Sequence, residues 1–265
     1  MKAPVHVVPL EKESEQRFFD FLDRDRILHI FTIYDLKHMR EKTDVWVAFR
    51  GNEIIGYVFE FDSRIVHTHG DVGSITDLLR FISLDEPVFV IEPHHLEIVV
   101  RLFEPVEPTD SSSKGKITKY VVMKIGSNAL QSIIRHQVKR LGGEDLEEAS
   151  KSLGEEWGKR VEEAIKKGFA FGEYHNGSLV SLATVPEIIE DLAFVRGVYT
   201  VPSLRGRGLA TSACSALVAE VTRLGMDAVL WVAEDNLPAR KVYEKIGFKE
   251  TGHVLLGFKA RRRPV

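Results

Sequence analysis

The chain of 265 residues is long enough for one large domain or two of ordinary size, and its 44% hydrophobic content excludes wholesale disorder. Its net charge of −3 is too close to neutral to favour nucleic acid or an anionic membrane surface as a partner. The lone Cys214 excludes an intramolecular disulfide, and the sequence carries neither an N-terminal signal pattern nor an apolar run of membrane-spanning length. We therefore expect a soluble, cytoplasmic protein that contacts neither nucleic acid nor membrane.

The first half reads as an α/β unit. A helical pattern over residues 14–39 precedes two strand-like runs, 45–50 and 54–61, which are joined by Gly51-Asn52 and predict a hairpin. A further strand, a helix over 74–82, a buried strand over 88–91, a short helix and a strand over 117–125 follow. The polar stretch 107–116, rich in Ser, Gly and Pro, is read as a long loop rather than as a linker, so the boundary is placed near Gly126-Ser127.

The second half repeats this order. A helical pattern over 129–167 precedes a hairpin formed by 169–174 and 179–185 around Asn176-Gly177, then a strand over 195–201, a helix over 209–224 and a strand over 228–232. A short helix and a last strand end the half. We predict a duplicated α/β fold, with a mixed central sheet flanked by helices, in domains 1–126 and 127–265.

The turn Arg205-Gly206-Arg207-Gly208 opens the helix over 209–224. A glycine-rich helix start is an anion site, because backbone N–H groups point at the ligand and the helix dipole favours negative charge. The turn carries neither the Gly-Lys-Ser/Thr of a P-loop nor a Gly-x-Gly-x-x-Gly dinucleotide pattern. Taken alone, it is equally consistent with a tight connection that carries surface arginines.

Residues on either side narrow this interpretation. Gly197 lies within a strand, where glycine marks a bulge or a close approach of another group, and a splayed strand there would leave backbone groups free for an amide-rich ligand such as pantetheine. Downstream, Asn236 is a candidate N-cap before Pro238, and Tyr243 lies beside the apolar stripe of the following helix. Its phenol is either a buried structural group or a proton donor to a departing thiolate.

The GNAT acyl-CoA-dependent N-acyltransferases, and most closely their glycine N-acyltransferase branch, are what the second half resembles. The resemblance lies in residues 200–211 together with Asn236, Ala239, Arg240, Tyr243, Glu244, Lys245, Gly247 and Phe248. This resemblance covers roughly residues 129–258. It implies acetyl-CoA or another acyl-CoA as co-substrate, Tyr243 as general acid, and direct attack by an amine acceptor. It also implies a cofactor-binding set on the strand, the turn and the two helices: Val198, Tyr199, Thr200, Arg205, Gly206, Arg207, Gly208, Leu209, Ala210, Thr211, Asn236 and Arg240.

One position departs from this pattern. Many members carry a Glu that acts as general base on the strand before the turn, whereas this chain has Phe194 at that position. The general base is therefore left unassigned, because the nearby carboxylates are interpreted as solvated turn residues. These carboxylates are Glu187, Glu190, Asp191, Glu234 and Asp235. The first half lacks the glycine turn, having Gly70-Asp71-Val72-Gly73 instead, so we expect it to be non-catalytic. No metal is expected, because His69, His94 and His95 lack Cys or carboxylate partners at metal-ligand spacing.

We therefore predict an acyl-CoA-dependent N-acyltransferase, most simply an acetyltransferase with an amine acceptor. A regulatory protein that binds acyl-CoA without catalysis is the alternative, supported by the missing strand carboxylate. A tRNA-dependent aminoacyltransferase, as in some tandem GNAT-like proteins, is disfavoured by the intact CoA signature and by the lack of a basic face. The acceptor and the oligomeric state are left open.

Overall fold

The computed structural model describes residues 4–107, 117–126 and 129–264. The stretch read as a loop, 107–116, lies outside these residues apart from Glu107, as does Ser127 of the boundary. The chain forms two compact units, unit 1 (1–121 with 253–265) and unit 2 (122–252). These units differ from a division of the chain at residue 126, because residues 253–265 pack with unit 1.

Unit 1 is a mixed sheet with helices. Its elements in chain order are β1 (Val5–Pro9), α1 (Lys12–Leu22), α2 (Ile30–His38), β2 (Thr43–Arg50), β3 (Glu53–Phe61), β4 (Ile65–Gly70), α3 (Val72–Leu78), β5 (Val88–Ile91), α4 (Leu96–Leu102) and β6 (Phe103–Pro105). Strands β1 to β4 pair antiparallel in sequence order, and β4 pairs parallel to β5. The last strand of the chain, β13 (Lys249–Arg262), adds its C-terminal part to β5, with Leu256 opposite Ile91.

The core of unit 1 includes residues from this C-terminal strand. Phe89 of β5 packs edge-on against Phe103, with ring centroids 4.9 Å apart, and also lies 5.6 Å from the ring of Phe258. All three side chains are buried in one apolar cluster with Ile75 of α3. Burial of such aromatic side chains contributes on the order of 2 kcal/mol each, so residues 253–262 are an integral part of this unit.

Unit 2 repeats the arrangement. Its elements are the end of β7 (Thr118–Ile125), then β8 (Val138–Arg140), α5 (Leu146–Leu153), α6 (Glu155–Lys167), β9 (Phe169–His175), β10 (Ser178–Ile189), β11 (Leu192–Thr200), α7 (Leu209–Arg223), β12 (Asp227–Ala233) and α8 (Leu237–Ile246). The strand order is β7-β12-β11-β10-β9-β8, with β8 to β11 antiparallel and β12 parallel to β11. The predicted mixed α/β class and its repetition along the chain are confirmed.

Both predicted hairpins form where the turn residues require them. In unit 2, Asn176 and Gly177 have φ values of 50° and 82°, so both central residues lie in the left-handed region that Asn and Gly tolerate best. In unit 1, Gly51 has φ of 60° at the equivalent place. Left-handed residues at the centre of a two-residue loop match the twist of the flanking strands, which explains why these pairs marked the hairpins in the sequence.

The prediction of helix from residue 129 is wrong for its first part. Residues 130–137 form neither helix nor strand, β8 follows, and the first helix of unit 2 begins at Leu146. The segment lies along α7, where the backbone N–H of Ile133 donates to Ser215 Oγ at 2.9 Å and that of Arg135 donates to Ser212 Oγ at 3.1 Å. These serine acceptors satisfy backbone donors that a helix would otherwise have satisfied internally.

No helix among the described residues combines the length and the hydropathy needed to cross a bilayer.

Candidate functional site

Strands β11 and β12 pair only over their first residues. Leu192 pairs with Asp227, Ala193 with Ala228 and Phe194 with Val229, and within the described residues no ladder pair joins the two strands beyond this point. We call this opening, bordered by 195–200 of β11 and 230–233 of β12, the β11–β12 divergence. Backbone N–H and C=O groups along an unpaired strand edge are free to bind an extended ligand.

A β-bulge at Gly197 accompanies the divergence. In the β10–β11 ladder, Leu182 pairs with Tyr199 and Thr184 with Arg196, so two residues of β11 oppose one of β10. Gly197 has φ of 62°, and a Cβ there would lie 2.8 Å from Thr184 Oγ1. That hydroxyl donates to the carbonyl of Arg196 at 2.7 Å, which holds the bulge in place. The predicted bulge is thus present, and glycine is required there by backbone angle and by space.

The glycine turn, residues 205–208, connects β11 to α7 and is exposed. Gly206 and Gly208 have φ of 76° and 87°, and no side chain caps the helix, whose N-cap is Gly208 and whose first turn carries no acidic residue. The amides of Leu209, Ala210 and Thr211 are first-turn donors, which have no acceptor within a helix. The Arg205 guanidinium folds back, its Nε donating to the carbonyl of Thr200 at 3.1 Å. The geometry is that of an open anion site.

His136 is a neighbour of this turn that the sequence did not reveal. Its Nε2 donates to the carbonyl of Arg207 at 3.1 Å, and its Nδ1 lies 3.3 Å from the buried carboxylate of Glu173. Burial raises the pKa of that carboxyl. Because His136 lies in the segment predicted to be helical, no local pattern placed it beside residue 207.

Helix α8 begins after the end of β12 that does not pair with β11. Asn236 caps it, its side-chain oxygen accepting from the amide of Ala239 at 3.3 Å, as predicted. The Arg240 guanidinium donates to the carbonyl of Glu234 at 3.2 Å and to Glu250 at 2.5 Å. Both predicted cofactor-binding side chains therefore have partners within unit 2, where they fix the start of this helix.

Tyr243 lies on the inner face of α8. Its side chain is buried and its ring lies edge-on to Phe248, with centroids 5.8 Å apart. Burial, together with the nearby Cys214 thiol of α7, raises the pKa of the phenol well above its ordinary value of 10. The phenol is therefore a neutral proton donor at physiological pH, and no hydrogen bond to another described residue engages its hydroxyl. Burial raises the pKa of Cys214 to about 12, which fits the packing role read from the sequence.

The interpretation of the nearby carboxylates as solvated turn residues is wrong for Glu187. This residue lies within β10, not after it, and its side chain is 9% exposed. The other candidates lie in turns, as expected: Glu190, Asp191, Glu234 and Asp235. One signal in the sequence could have identified Glu187. It is the single charge in the run 179–189, which continues as apolar residues past the predicted strand end at 185.

In unit 1, strands β4 and β5 and the start of α3 correspond to β11, β12 and the start of α7. Strand β5 pairs with β4 along its whole length, from Ile65 opposite Val88 to Thr68 opposite Ile91, so no residue of β5 is left without a partner on β4. At the start of α3, Asp71 occupies the N-cap and pairs with Arg50 at 2.9 Å. A carboxylate there repels a phosphate. The features that make an anion site in unit 2 are thus missing from the described residues of unit 1.

Histidines cluster in unit 1, and the premise that they lack a carboxylate partner is wrong. Glu92, His94 and His95 offer ligand atoms within 4.8 Å of one another. The ring nitrogens of His95 are nevertheless committed to hydrogen bonds, Nδ1 with Thr68 Oγ1 and Nε2 with the carbonyl of Gly70, each at 2.9 Å. A metal would have to break one of them, so the donor set fits a hydrogen-bonded core better than a metal centre.

One family model matches part of the chain, and solved structures resemble its fold over nearly the full length. Residues 171–255 match the FR47-like protein family model, a segment that contains the β11–β12 divergence, the glycine turn and Tyr243. No curated protein matches the chain significantly.

Solved structures resemble the chain over nearly its full length. A GCN5-related N-acetyltransferase from Sphaerobacter thermophilus has a TM-score of 0.64 at 13% identity, covering 99% of this chain and 98% of its own. A GNAT-family acetyltransferase from Colwellia psychrerythraea has a TM-score of 0.63 at 14% identity, covering 96% and 99%. A tandem GNAT protein from the clavulanic acid biosynthesis pathway has a TM-score of 0.59 at 13% identity, covering 99% and 100%. At these identities the likeness is one of fold, and it confirms the predicted GNAT fold.

Proposed function

We propose that this chain, which has the GNAT fold and carries an FR47-like segment in unit 2, is an acyl-CoA-dependent N-acyltransferase that most simply transfers acetyl to a primary amine. The observation that carries the proposal is the succession of an unpaired strand edge, a bulge and an uncapped helix start within residues 195–211. An extended amide chain that ends in a pyrophosphate matches this succession.

We assign three parts of an acyl-CoA to unit 2: the pyrophosphate, the pantetheine arm and the thioester carbonyl. The pyrophosphate is assigned to the amides of 207–211, where N–H groups and helix dipole favour negative charge, with the exposed Arg205 and Arg207 adding positive charge. Pantetheine is assigned to the open edge at Val198–Thr200. A backbone amide on this edge would stabilise the developing oxyanion of the thioester carbonyl, an interaction that strengthens as charge accumulates.

Tyr243 supplies the proton for the leaving group in this proposal. The amine attacks the thioester carbonyl carbon, the carbon–sulfur bond breaks, and the phenol protonates the departing thiolate. A phenol whose pKa is raised stays protonated until the thiolate forms. The resemblance to the glycine N-acyltransferase branch makes free amino acids the first acceptors to test.

A panel of amines with colorimetric detection of free CoA thiol tests the proposal. Acetyl-CoA should bind in calorimetry, and at least one amine should release thiol at a rate above hydrolysis. Gly208→Glu should weaken acetyl-CoA binding by about 100-fold, or about 3 kcal/mol, because a carboxylate enters the pyrophosphate site. Gly177→Glu is the matched control, since it adds the same charge at a glycine of similar φ with no neighbour within 4 Å. Absence of binding at millimolar acetyl-CoA and CoA would overturn the proposal.

A non-catalytic acyl-CoA sensor is the second candidate, and Phe194 favours it because that side chain is no base. Saturable acetyl-CoA binding without thiol release from any amine would select the sensor.

A further inference from the structure

A carboxylate lies directly beside the closed end of the β11–β12 divergence. Glu187 of β10 is paired with Phe194 of β11, and Phe194 is the last residue of β11 to pair with β12. Directly opposed residues in an antiparallel ladder project to the same face of the sheet. The ring of Phe194 lies edge-on to Trp231 of β12, with centroids 5.5 Å apart. The Glu187 side chain is therefore on the face that carries Phe194 and Trp231, at the point where the strands part.

Only one of the two oxygens of the Glu187 carboxylate has a polar partner. Oε1 of Glu187 lies 3.0 Å from Nη1 of Arg196, but Oε2 is buried and has no hydrogen-bond partner. An unsatisfied buried carboxylate oxygen costs stability, and a purely structural ion pair would be expected to satisfy both oxygens. Because this unsatisfied Oε2 lies beside a candidate ligand site, we infer that its hydrogen-bond partner arrives with the ligand.

The charges around Glu187 come from β11 and α6. Arg196 of β11 also reaches Glu163 of α6, with Nη2 3.4 Å from Oε2, and Lys167 of α6 contributes a further positive charge. Burial raises the pKa of Glu187 to about 7, with Glu163 raising it further and with Arg196 and Lys167 opposing the shift. A carboxyl group that titrates near neutrality both accepts and releases a proton at physiological pH.

We propose that Glu187 accepts the proton that the acceptor ammonium must lose before attack, through one water in the β11–β12 divergence. The inference rests on the proposed acyltransferase function and supplies the base that Phe194 cannot. Its side chain approaches from the neighbouring strand rather than from the strand before the glycine turn.

The proton balance closes with Glu187 and Tyr243. The ammonium gives one proton to the Glu187 carboxylate, and the neutral amine then forms a carbon–nitrogen bond to the thioester carbonyl carbon. The carbon–sulfur bond breaks, the thiolate takes the Tyr243 proton, and the positively charged nitrogen returns a proton to the tyrosinate. Glu187 finally releases its proton to solvent, so the products are the amide, free CoA thiol and one proton.

The test is the pH profile of kcat/KM, with an acceptor whose amine pKa lies above 9. The wild type should show an acid limb near pH 7. Glu187→Gln should remove that limb and lower kcat/KM at pH 8 by on the order of 100-fold or more, with acetyl-CoA affinity unchanged. Glu187→Asp keeps the carboxylate on a side chain one methylene shorter, so it should retain the acid limb of the pH profile at a reduced rate. This variant keeps the test decisive if Glu187→Gln does not fold.

Two neighbouring substitutions separate a proton acceptor from a structural residue. Glu163→Gln removes a like charge and should move the acid limb to lower pH, while the plateau above it stays within about threefold. Arg196→Gln removes the compensating charge and should move the limb to higher pH. A purely structural Glu187 predicts no such opposite shifts.

The outcomes also distinguish this inference from the proposed function. Thiol release by the wild type with an unaltered acid limb in Glu187→Gln, at a rate within about threefold, would overturn the role of Glu187 and leave the acyltransferase proposal intact. Absence of thiol release by the wild type with every amine would overturn both.

Discussion

Gly197→Ala tests whether the bulge holds the β11–β12 divergence open. An alanine at φ of 62° costs about 1–2 kcal/mol in backbone strain. Its Cβ would also lie 2.8 Å from Thr184 Oγ1, a clash that costs about 1–3 kcal/mol if relieved by movement of β11. We expect a loss of about 2–5 kcal/mol in the free energy of unfolding and an acetyl-CoA Kd at least ~10-fold higher, because residues 198–200 follow directly.

Two control variants separate the cost of backbone strain from the cost of the clash with Thr184. Gly177 has a φ of 82° and open space around an added Cβ, so Gly177→Ala should lower the free energy of unfolding only by the backbone strain. It should leave the acetyl-CoA Kd unchanged. In a Thr184→Ala background the contact is absent, and Gly197→Ala should cost only about 1–2 kcal/mol. Urea unfolding and calorimetry measure both quantities. If Gly197→Ala and Gly177→Ala are equally stable and Gly197→Ala binds acetyl-CoA normally, the bulge does not hold the β11–β12 divergence open.

Other consequences follow from the buried titratable groups. Tyr243→Phe should lower kcat by about 10²–10⁴-fold without changing the acetyl-CoA Kd, and an unchanged kcat would refute the proton-donor role. Burial lowers the pKa of His29 and His67 to about 3 and that of His95 to about 4, so the unfolded chain takes up protons first as pH falls below 6.5, while the raised pKa of Glu187 offsets part of this loss. Urea unfolding should therefore show stability falling by roughly 3–4 kcal/mol between pH 7 and pH 5, and a flat profile would contradict this burial. The Cys214 thiol should resist an aromatic disulfide reagent at pH 8 in the native protein and react in urea, whereas rapid native labelling would show it accessible.

The sequence predicted the parts of the fold that local chemistry determines. Gly51 and Asn176-Gly177 marked the hairpins because few residues tolerate left-handed angles. The glycine turn and Gly197 were informative for the same reason.

Features that depend on distant residues could not be predicted in this way. Residues 130–137 read as helical, but the hydroxyls of Ser212 and Ser215, about eighty residues later, hold them against α7. The C-terminal strand completes the sheet of unit 1, a long-range pairing that no local pattern encodes. Glu187 read as a turn residue because neither its burial nor its pairing with Arg196 has a local signal other than the apolar run around it.

In the residues that the structure describes, the first half keeps the fold of the second half without the features of its candidate anion site. Unit 1 repeats the strand and helix order of unit 2, but β5 is paired with β4 along its whole length and Asp71 occupies the helix start. We therefore propose acyl-CoA binding for unit 2 and not for unit 1.

Backbone amide NMR of the full chain during titration with acetyl-CoA tests whether acyl-CoA binds at the β11–β12 divergence and the glycine turn. We expect saturable changes at a 1:1 ratio, largest at the amides of Val198–Thr200 and 207–211. Changes confined to residues of unit 1, or no saturable change at millimolar acetyl-CoA, would contradict it.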